Sequence, residues 1–289
     1  MNRIAKISLK ILKWVGIVIL SLVVLFFAAR WIGQGVNKIT PKGGINKSMY
    51  VDINGSRQWI SIYGKAMTEF LRGYLQVDKI TLLGHSWGSY FGANLALAHP
   101  DYYDAFIGTG QFIDWKENED RLYEAALTWS KNDLEGRGMV EKWAPNRNAG
   151  DWEVFDLRNA IMKRYGYGMM KDGTDYNLLT TVLFNPYYSL GGIRTFLNSQ
   201  EDVFEQYMPL AAAKGLKEMS LLGRYDYAMP YYNINGDMDY QTNFEIACEY
   251  FKQVNAPKKQ LFVMKNATHG LLESRSEEFS GYLHQIAAL

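Results

Sequence analysis

The stretch Ile80-Thr81-Leu82-Leu83-Gly84-His85-Ser86-Trp87-Gly88-Ser89 restricts the possible folds more than any other part of the chain. Four apolar or β-branched residues in a row suit a strand buried on both faces, and Gly84 ends the run. The segment from about Ser89 to His99 predicts a helix stopped by Pro100. Tyr103 to Thr109 predicts another strand, and the order strand, helix, strand implies a right-handed parallel crossover. The expected architecture is therefore α/β, a mostly parallel sheet flanked by helices. Gly84-His85-Ser86-Trp87-Gly88 also fits a strand-to-helix turn in which small residues two positions either side of a serine leave its hydroxyl exposed.

Around this unit, Met49 to Tyr63 alternates about Asn54-Gly55 and predicts a hairpin. A helix follows with Met67, Phe70, Leu71, Tyr74 and Leu75 on one face, which is expected to be core. Between Gln111 and about Pro230 the pattern turns mostly helical, as a cap inserted above a sheet would. Strand character returns at Tyr231 to Asn235 and Gln260 to Met264, separated by a helix around Phe244 to Val254. A final helix covers roughly Glu277 to Ala288.

At the amino terminus, Trp14 to Ala29 carries no charge and as a helix covers about 24 Å, close to the hydrocarbon thickness of a bilayer. Trp31 and Ile32 extend it, Trp14 and Trp31 flank it as interfacial anchors, and Arg30 is expected to snorkel to the interface. Arg3, Lys6, Lys10 and Lys13 form a basic cluster that favours the cytoplasmic side. The expected organisation is a cytoplasmic tail over 1–13, one transmembrane helix over 14–32, a linker over 33–48 holding Pro41, Gly43 and Gly44, and an extracytoplasmic domain over 49–289 held at the cell membrane. The rival is a cleaved signal peptide, but Phe27 fits the minus-three position poorly.

The 289 residues are 48% hydrophobic and 15% aromatic, enough for one large core with a modest lid. A formal net charge of +1 removes the electrostatic case for nucleic acid. Cys248 has no partner cysteine and reads as a small apolar residue on a helix. The four histidines, without paired cysteines, give no zinc spacing, and neither a metal nor another cofactor is expected.

A serine nucleophile needs a base, itself oriented by a carboxylate. His269, in Asn266-Ala267-Thr268-His269-Gly270 after the last strand, is the candidate base. His85 lies inside the turn and should point away from the exposed face of Ser86; His99 ends a helix beside proline, and His284 lies on the closing helix. For the acid, Asp239 in Gly236-Asp237-Met238-Asp239 precedes His269, which gives the order Ser, Asp, His. Asp226 and Asp237 remain alternatives.

The segments LGHSWGS, GDMDYQTN and NATHG together resemble the proline iminopeptidase branch of the α/β-hydrolases, serine aminopeptidases and related hydrolases, over about Met49 to Leu289. The resemblance implies an α/β-hydrolase fold with a helical cap at about 114–229, acting on a small-molecule or peptide substrate. It implies Ser86 as nucleophile, Asp239 and His269 as its partners, and the Trp87 backbone amide as one oxyanion donor. The chain departs from the family in having no His-Gly-Gly-Pro-Gly loop; between Tyr63 and Ile80 there is room for one helix, so the sheet is expected to be shortened on its amino-terminal side. That departure keeps open a catalytically impaired hydrolase shell used for binding, and an ester or lactone hydrolase would show the same triad. An aminopeptidase also needs a carboxylate for the substrate amine, and Glu117, Glu119, Asp120, Asp151 and Glu153 are the candidates.

Overall fold

A computed structural model describes residues 3–37, 45–53, 56–64, 68–148, 152–170, 183–185, 189–194 and 219–289, with side chains described over 10–36 and, in those ranges, from 71 onward. The chain divides into two compact units, Met1–Lys65 with Asn177–Asn198, and Ala66–Tyr176 with Ser199–Leu289.

In the first unit, α1 (Arg3–Asn37) is one continuous helix, as expected for a run free of proline. Its Lys10–Val36 portion, 27 residues, is long and apolar enough to cross a membrane. At 1.5 Å per residue that portion measures about 40 Å, more than a hydrocarbon core needs. Arg30 is buried and donates to the Leu183 carbonyl, and Gln34 Nε2 donates to Asn185 O at 2.9 Å. The guanidinium thus finds a protein acceptor, where the sequence predicted snorkelling, because its five donors need partners wherever water is excluded. Strands β1 (Ile45–Ile53) and β2 (Ser56–Gly64) pair antiparallel from Ile45↔Gly64 to Ile53↔Ser56, which leaves a two-residue connection. Asn54-Gly55, the predicted turn, lies outside the described residues. Among the described residues these strands pair only with each other.

The second unit contains α2 (Thr68–Leu75), β3 (Ile80–His85), α3 (Trp87–Ala98), β4 (Tyr103–Thr109), α4 (Trp115–Trp129), α5 (Leu134–Trp143), α6 (Trp152–Arg164), β5 (Tyr231–Gly236), α7 (Phe244–Gln253), β6 (Lys259–Met264), α8 (Leu271–Ser274) and α9 (Ser276–Ala287). The four strands form one sheet in the order β3-β4-β5-β6, with every neighbouring pair parallel. Every residue of β5 is buried, as a central strand covered on both faces requires. Phe106 and Tyr231 pack with Ala93 and Ala96 of α3 and with Ile246, Ala247 and Tyr250 of α7. On the other face, Ile107, Tyr232, Ile234 and Phe262 pack with Leu271, Phe279 and Ile286 of α8 and α9. Each fully buried aromatic or aliphatic side chain of this kind contributes roughly 1.5–3 kcal/mol.

Between β4 and β5 the longer described elements are helices, as the sequence predicts. Asp114 and Asp133 cap α4 and α5, accepting from Glu117 N at 2.7 Å and Gly136 N at 3.1 Å. Leu122, Ala126, Val140, Trp143, Ile161 and Met162 give these helices a core of their own.

The expectation for α2 needs correction. The face of α2 is only partly core: Leu71 is buried, whereas Tyr74 is 46% exposed. The reason is the position of β3, which has β4 as its one described neighbour and so offers α2 little to pack against. Leu83 of β3 and Phe91 of α3 are exposed for the same reason. Cys248 is half-buried on α7, and burial pushes its thiol pKa up, consistent with an unreactive side chain.

Candidate active site

Ser86 occupies the turn between β3 and α3 at φ 56° and ψ −125°, a conformation that costs a non-glycine residue about 1–3 kcal/mol unless its surroundings enforce it. They do so through Ser86 N, which donates to Thr109 O of the neighbouring strand at 3.0 Å, and through buried Ser89, whose hydroxyl donates to Ser86 O at 2.5 Å and accepts from Phe112 N at 2.9 Å. Gly84 is obligatory, since a Cβ there would lie 2.2 Å from Gly88 O. A Cβ at Gly88 would meet nothing within 4 Å, so the requirement falls on the first of the two small residues. Trp87 opens α3, where first-turn N–H groups have no intrahelical acceptor, and its ring stacks on Phe112 at 5.4 Å.

The loops after β5 and β6 come together because Gly236 lacks a side chain. A Cβ there would lie 2.2 Å from Ala267 O, the same carbonyl that accepts Met238 N at 3.0 Å. This approach brings Asp239 Oδ2 to 2.8 Å from His269 Nδ1, with both residues buried. Thr242 N donates to Asp239 Oδ1 at 3.0 Å and Thr242 Oγ1 to Oδ2 at 3.0 Å, so the carboxylate is fully engaged. With Nδ1–H directed at the carboxylate, Nε2 is left as the basic nitrogen. Of the alternatives, Asp237 accepts Asn266 N at 2.6 Å and pairs with Lys265, while Asp226 accepts from Asn255 at the surface. His99 stacks on Tyr102, and exposed His284 bonds Ser280 O.

His85 was expected to point away from the exposed face of Ser86; its ring in fact packs on His269, with centroids 4.7 Å apart. Its Nδ1 is buried and has no partner among the described residues. Burial, and secondarily the neighbouring His269, lowers its pKa from 6.5 to about 4. The folded state therefore favours neutral His85, and that contribution is present above pH 6.5 and lost as pH falls towards 4. Over that interval, at ~1.4 kcal/mol per pH unit, the loss is on the order of 3 kcal/mol. Urea midpoints measured from pH 7 to pH 4 are expected to fall less steeply in His85→Leu than in the unsubstituted chain; parallel curves would show that His85 does not carry this dependence.

A cavity of about 610 Å³ opens over these groups, lined by Ser86, Trp87 and His269 from below and by α6 above. The position of α6 is fixed by Arg158, which is 3% exposed. Its Nε lies 2.8 Å from Glu119 Oε1, and its Nη1 and Nη2 donate to Gln241 Oε1 at 2.6 Å and Gln241 O at 2.9 Å. Burial pushes the Glu119 pKa up while Arg158 opposes the rise. Among the sequence candidates for holding an amine, Glu119 is thus already paired, Asp120 bonds Lys116 and Arg147, Glu117 lies 4.0 Å from Arg121, Glu153 is exposed and away from the cavity lining, and Asp151 lies outside the described residues. Among the described lining residues the carboxylate is Asp156, which sequence reasoning missed. No motif in the sequence distinguishes it from Glu153 on the same helix.

A parallel sheet with a serine on a strained strand-to-helix turn, and an Asp–His pair on the loops following two other strands, defines the α/β-hydrolase fold, and residues 58–148 match the family model of that fold. The chain has the α/β-hydrolase fold. It is 21% identical over 213 residues to the Bacillus subtilis (strain 168) protein named Probable aminopeptidase YbaC, a match covering 70% of this chain and 63% of that protein. The chain thus spans less than two thirds of the length of this relative. Among solved structures it is similar to proline iminopeptidase of Mycobacterium smegmatis, with a TM-score of 0.51 at 14% identity over 75% of this chain and 67% of the other. An α/β fold family hydrolase of Bacillus anthracis str. Sterne gives a TM-score of 0.44 at 16% identity over 74% and 69% of the two chains.

Proposed function

We propose that this chain is a membrane-anchored serine hydrolase of aminopeptidase type, with Ser86 as nucleophile, His269 as general base and Asp239 as the group that orients His269. The observation that carries the reading is the buried Asp239–His269 bond of 2.8 Å beside a cavity that also exposes Ser86. In this mechanism Ser86 Oγ attacks the carbonyl carbon at the scissile bond while His269 Nε2 takes the hydroxyl proton. The oxyanion is held by the Trp87 N–H, the C–N bond breaks, and Nε2 passes its proton to the departing amine. Water, deprotonated by the same nitrogen, then attacks the acyl-enzyme and releases the acid and Ser86. Asp156 holds the substrate ammonium. The helix α1 anchors the protein with its basic end in the cytoplasm and the hydrolase domain outside.

The test compares alanyl p-nitroanilide with its N-acetyl counterpart. Ser86-dependent release is expected from the free amine, and Asp156→Asn should lower kcat/KM about 10–100-fold on that substrate, the value of a hydrogen bond to a charged group, with little effect on the acetylated one. Equal turnover of both substrates by the unsubstituted chain would contradict the aminopeptidase assignment. A binding protein with a hydrolase shell is the second reading, favoured by the missing His-Gly-Gly-Pro-Gly sequence, since loss of one oxyanion donor costs about 2.7–4 kcal/mol. Absence of any Ser86-dependent turnover would support it.

A further inference from the structure

We propose that Gln241 is a specificity-determining residue that recognises the carbonyl oxygen next beyond the scissile bond, so that the substrates are peptides and aminoacyl amino acid amides, not simple alkyl amides. The inference rests on the reading of this cavity as the substrate site. Gln241 lines the cavity together with Ser86, Trp87 and His269. Three hydrogen bonds fix its conformation. Buried Arg158 donates through Nη1 to Gln241 Oε1 at 2.6 Å and through Nη2 to Gln241 O at 2.9 Å, and Asn118 Nδ2 donates to the same backbone carbonyl at 3.2 Å. A guanidinium only donates, so the side-chain oxygen faces Arg158 and Nε2 is left on the other side. That nitrogen donates to no acceptor among the described residues, and it is not shut off from solvent. The carboxamide thus has its oxygen committed and its N–H groups held ready for an acceptor.

The position of Gln241 decides which acceptor that is. It lies between Asp239, which is 2.8 Å from His269 Nδ1, and Thr242, whose Oγ1 is 3.2 Å from the same nitrogen. The donor therefore stands on the histidine side of the cavity. In acyl transfer His269 Nε2 hands its proton to the departing amine, so the leaving portion of the substrate occupies that side. When the leaving portion is an amino acid residue, its own carbonyl group is attached to the carbon next to the scissile nitrogen and is the first acceptor the donor meets. An alkylamine offers none and would leave the held N–H groups unpaired once bound. A site built to hydrogen-bond a group discriminates against the analogue lacking it for this reason. At about 610 Å³ the cavity has the size of a small-molecule site, which suits a short peptide.

The experiment measures binding, so it does not depend on turnover. The full-length Ser86→Ala protein in detergent is titrated calorimetrically with alanyl-alaninamide and with alanyl isopropylamide, which has a methyl group where the first compound has its carboxamide. Alanyl-alaninamide is expected to bind about tenfold more tightly. Adding Gln241→Glu keeps an oxygen for Arg158 and removes the donor, and should bring the two affinities to within about twofold of each other. A purely structural role for Gln241 would weaken both compounds alike and leave their ratio unchanged. Gln241→Met, which also lacks a donor, carries the same comparison if a thermal melt shows that Gln241→Glu does not fold. Equal affinity for the two compounds in the Ser86→Ala protein, a preference that survives loss of the donor, or no binding of either compound would each overturn the assignment. The hydrolase reading fails separately, as absence of Ser86-dependent turnover in the unsubstituted chain.

Discussion

Asp239→Asn is expected to lower kcat about 10⁴-fold while KM changes little, the effect of losing the correct imidazole tautomer with geometry otherwise preserved. The carboxylate accepts three hydrogen bonds, from Thr242 N, Thr242 Oγ1 and His269 Nδ1. An asparagine that keeps its carbonyl oxygen on Thr242 N puts its NH₂ in the place of Oδ2, facing Thr242 Oγ1 and His269 Nδ1. The hydroxyl can rotate, but the ring must move its proton to Nε2 to accept from the NH₂, and the nitrogen needed to deprotonate Ser86 becomes a donor. Steady-state kinetics on the purified full-length protein checks this, with circular dichroism confirming the fold. A loss below tenfold would show that Asp239 does not set the state of His269.

Arg158→Ala is expected to destabilise the protein by about 3–5 kcal/mol, because it leaves Glu119 buried without its cation. Glu119 is 1% exposed and Arg158 3%, so water cannot replace either partner. The loss should grow with pH. Burial already raises the Glu119 pKa, and without the guanidinium the rise is larger. Unfolding then releases a proton that the folded state retains, so the variant loses stability as pH climbs above the ordinary carboxylate range. Removing both charges, as Arg158→Met with Glu119→Leu, should recover most of the stability, since packed apolar residues often replace a buried pair without loss. Urea unfolding at pH 5 and pH 8 measures all three proteins. A double variant as unstable as the single one would mean that the pair's role is its hydrogen bonds to Gln241, two residues beyond Asp239.

The parts of this molecule legible in the sequence are those fixed by local chemistry. Tyr103–Thr109 was predicted as a strand over the observed residues, and Ile80–Leu83 fell within β3, because continuous apolar runs ended by glycine or proline leave few alternatives. Ser86, Asp239 and His269 are singled out as candidates by the turns that carry them, and the structure brings the last two into contact. What escaped depends on distant partners. Asp156 is one acid among many on a helical segment, and its place in the cavity follows from the Arg158 contacts with Glu119, 39 residues away, and Gln241, 83 residues away. His85 was misjudged because the elbow's local geometry does not reveal that the loop carrying His269 arrives beside it. The periodicity of α2 gave its apolar face correctly but not the edge position of β3, which leaves Tyr74 exposed.

The most direct test is to treat the full-length protein with a fluorophosphonate and map the adduct by mass spectrometry. The proposed chemistry predicts one adduct, on the peptide containing Ser86, formed in proportion to loss of hydrolysis and slowed at least about 100-fold in His269→Ala, the scale of general-base assistance. An unmodified Ser86, or an adduct that forms at the same rate without His269, would contradict it.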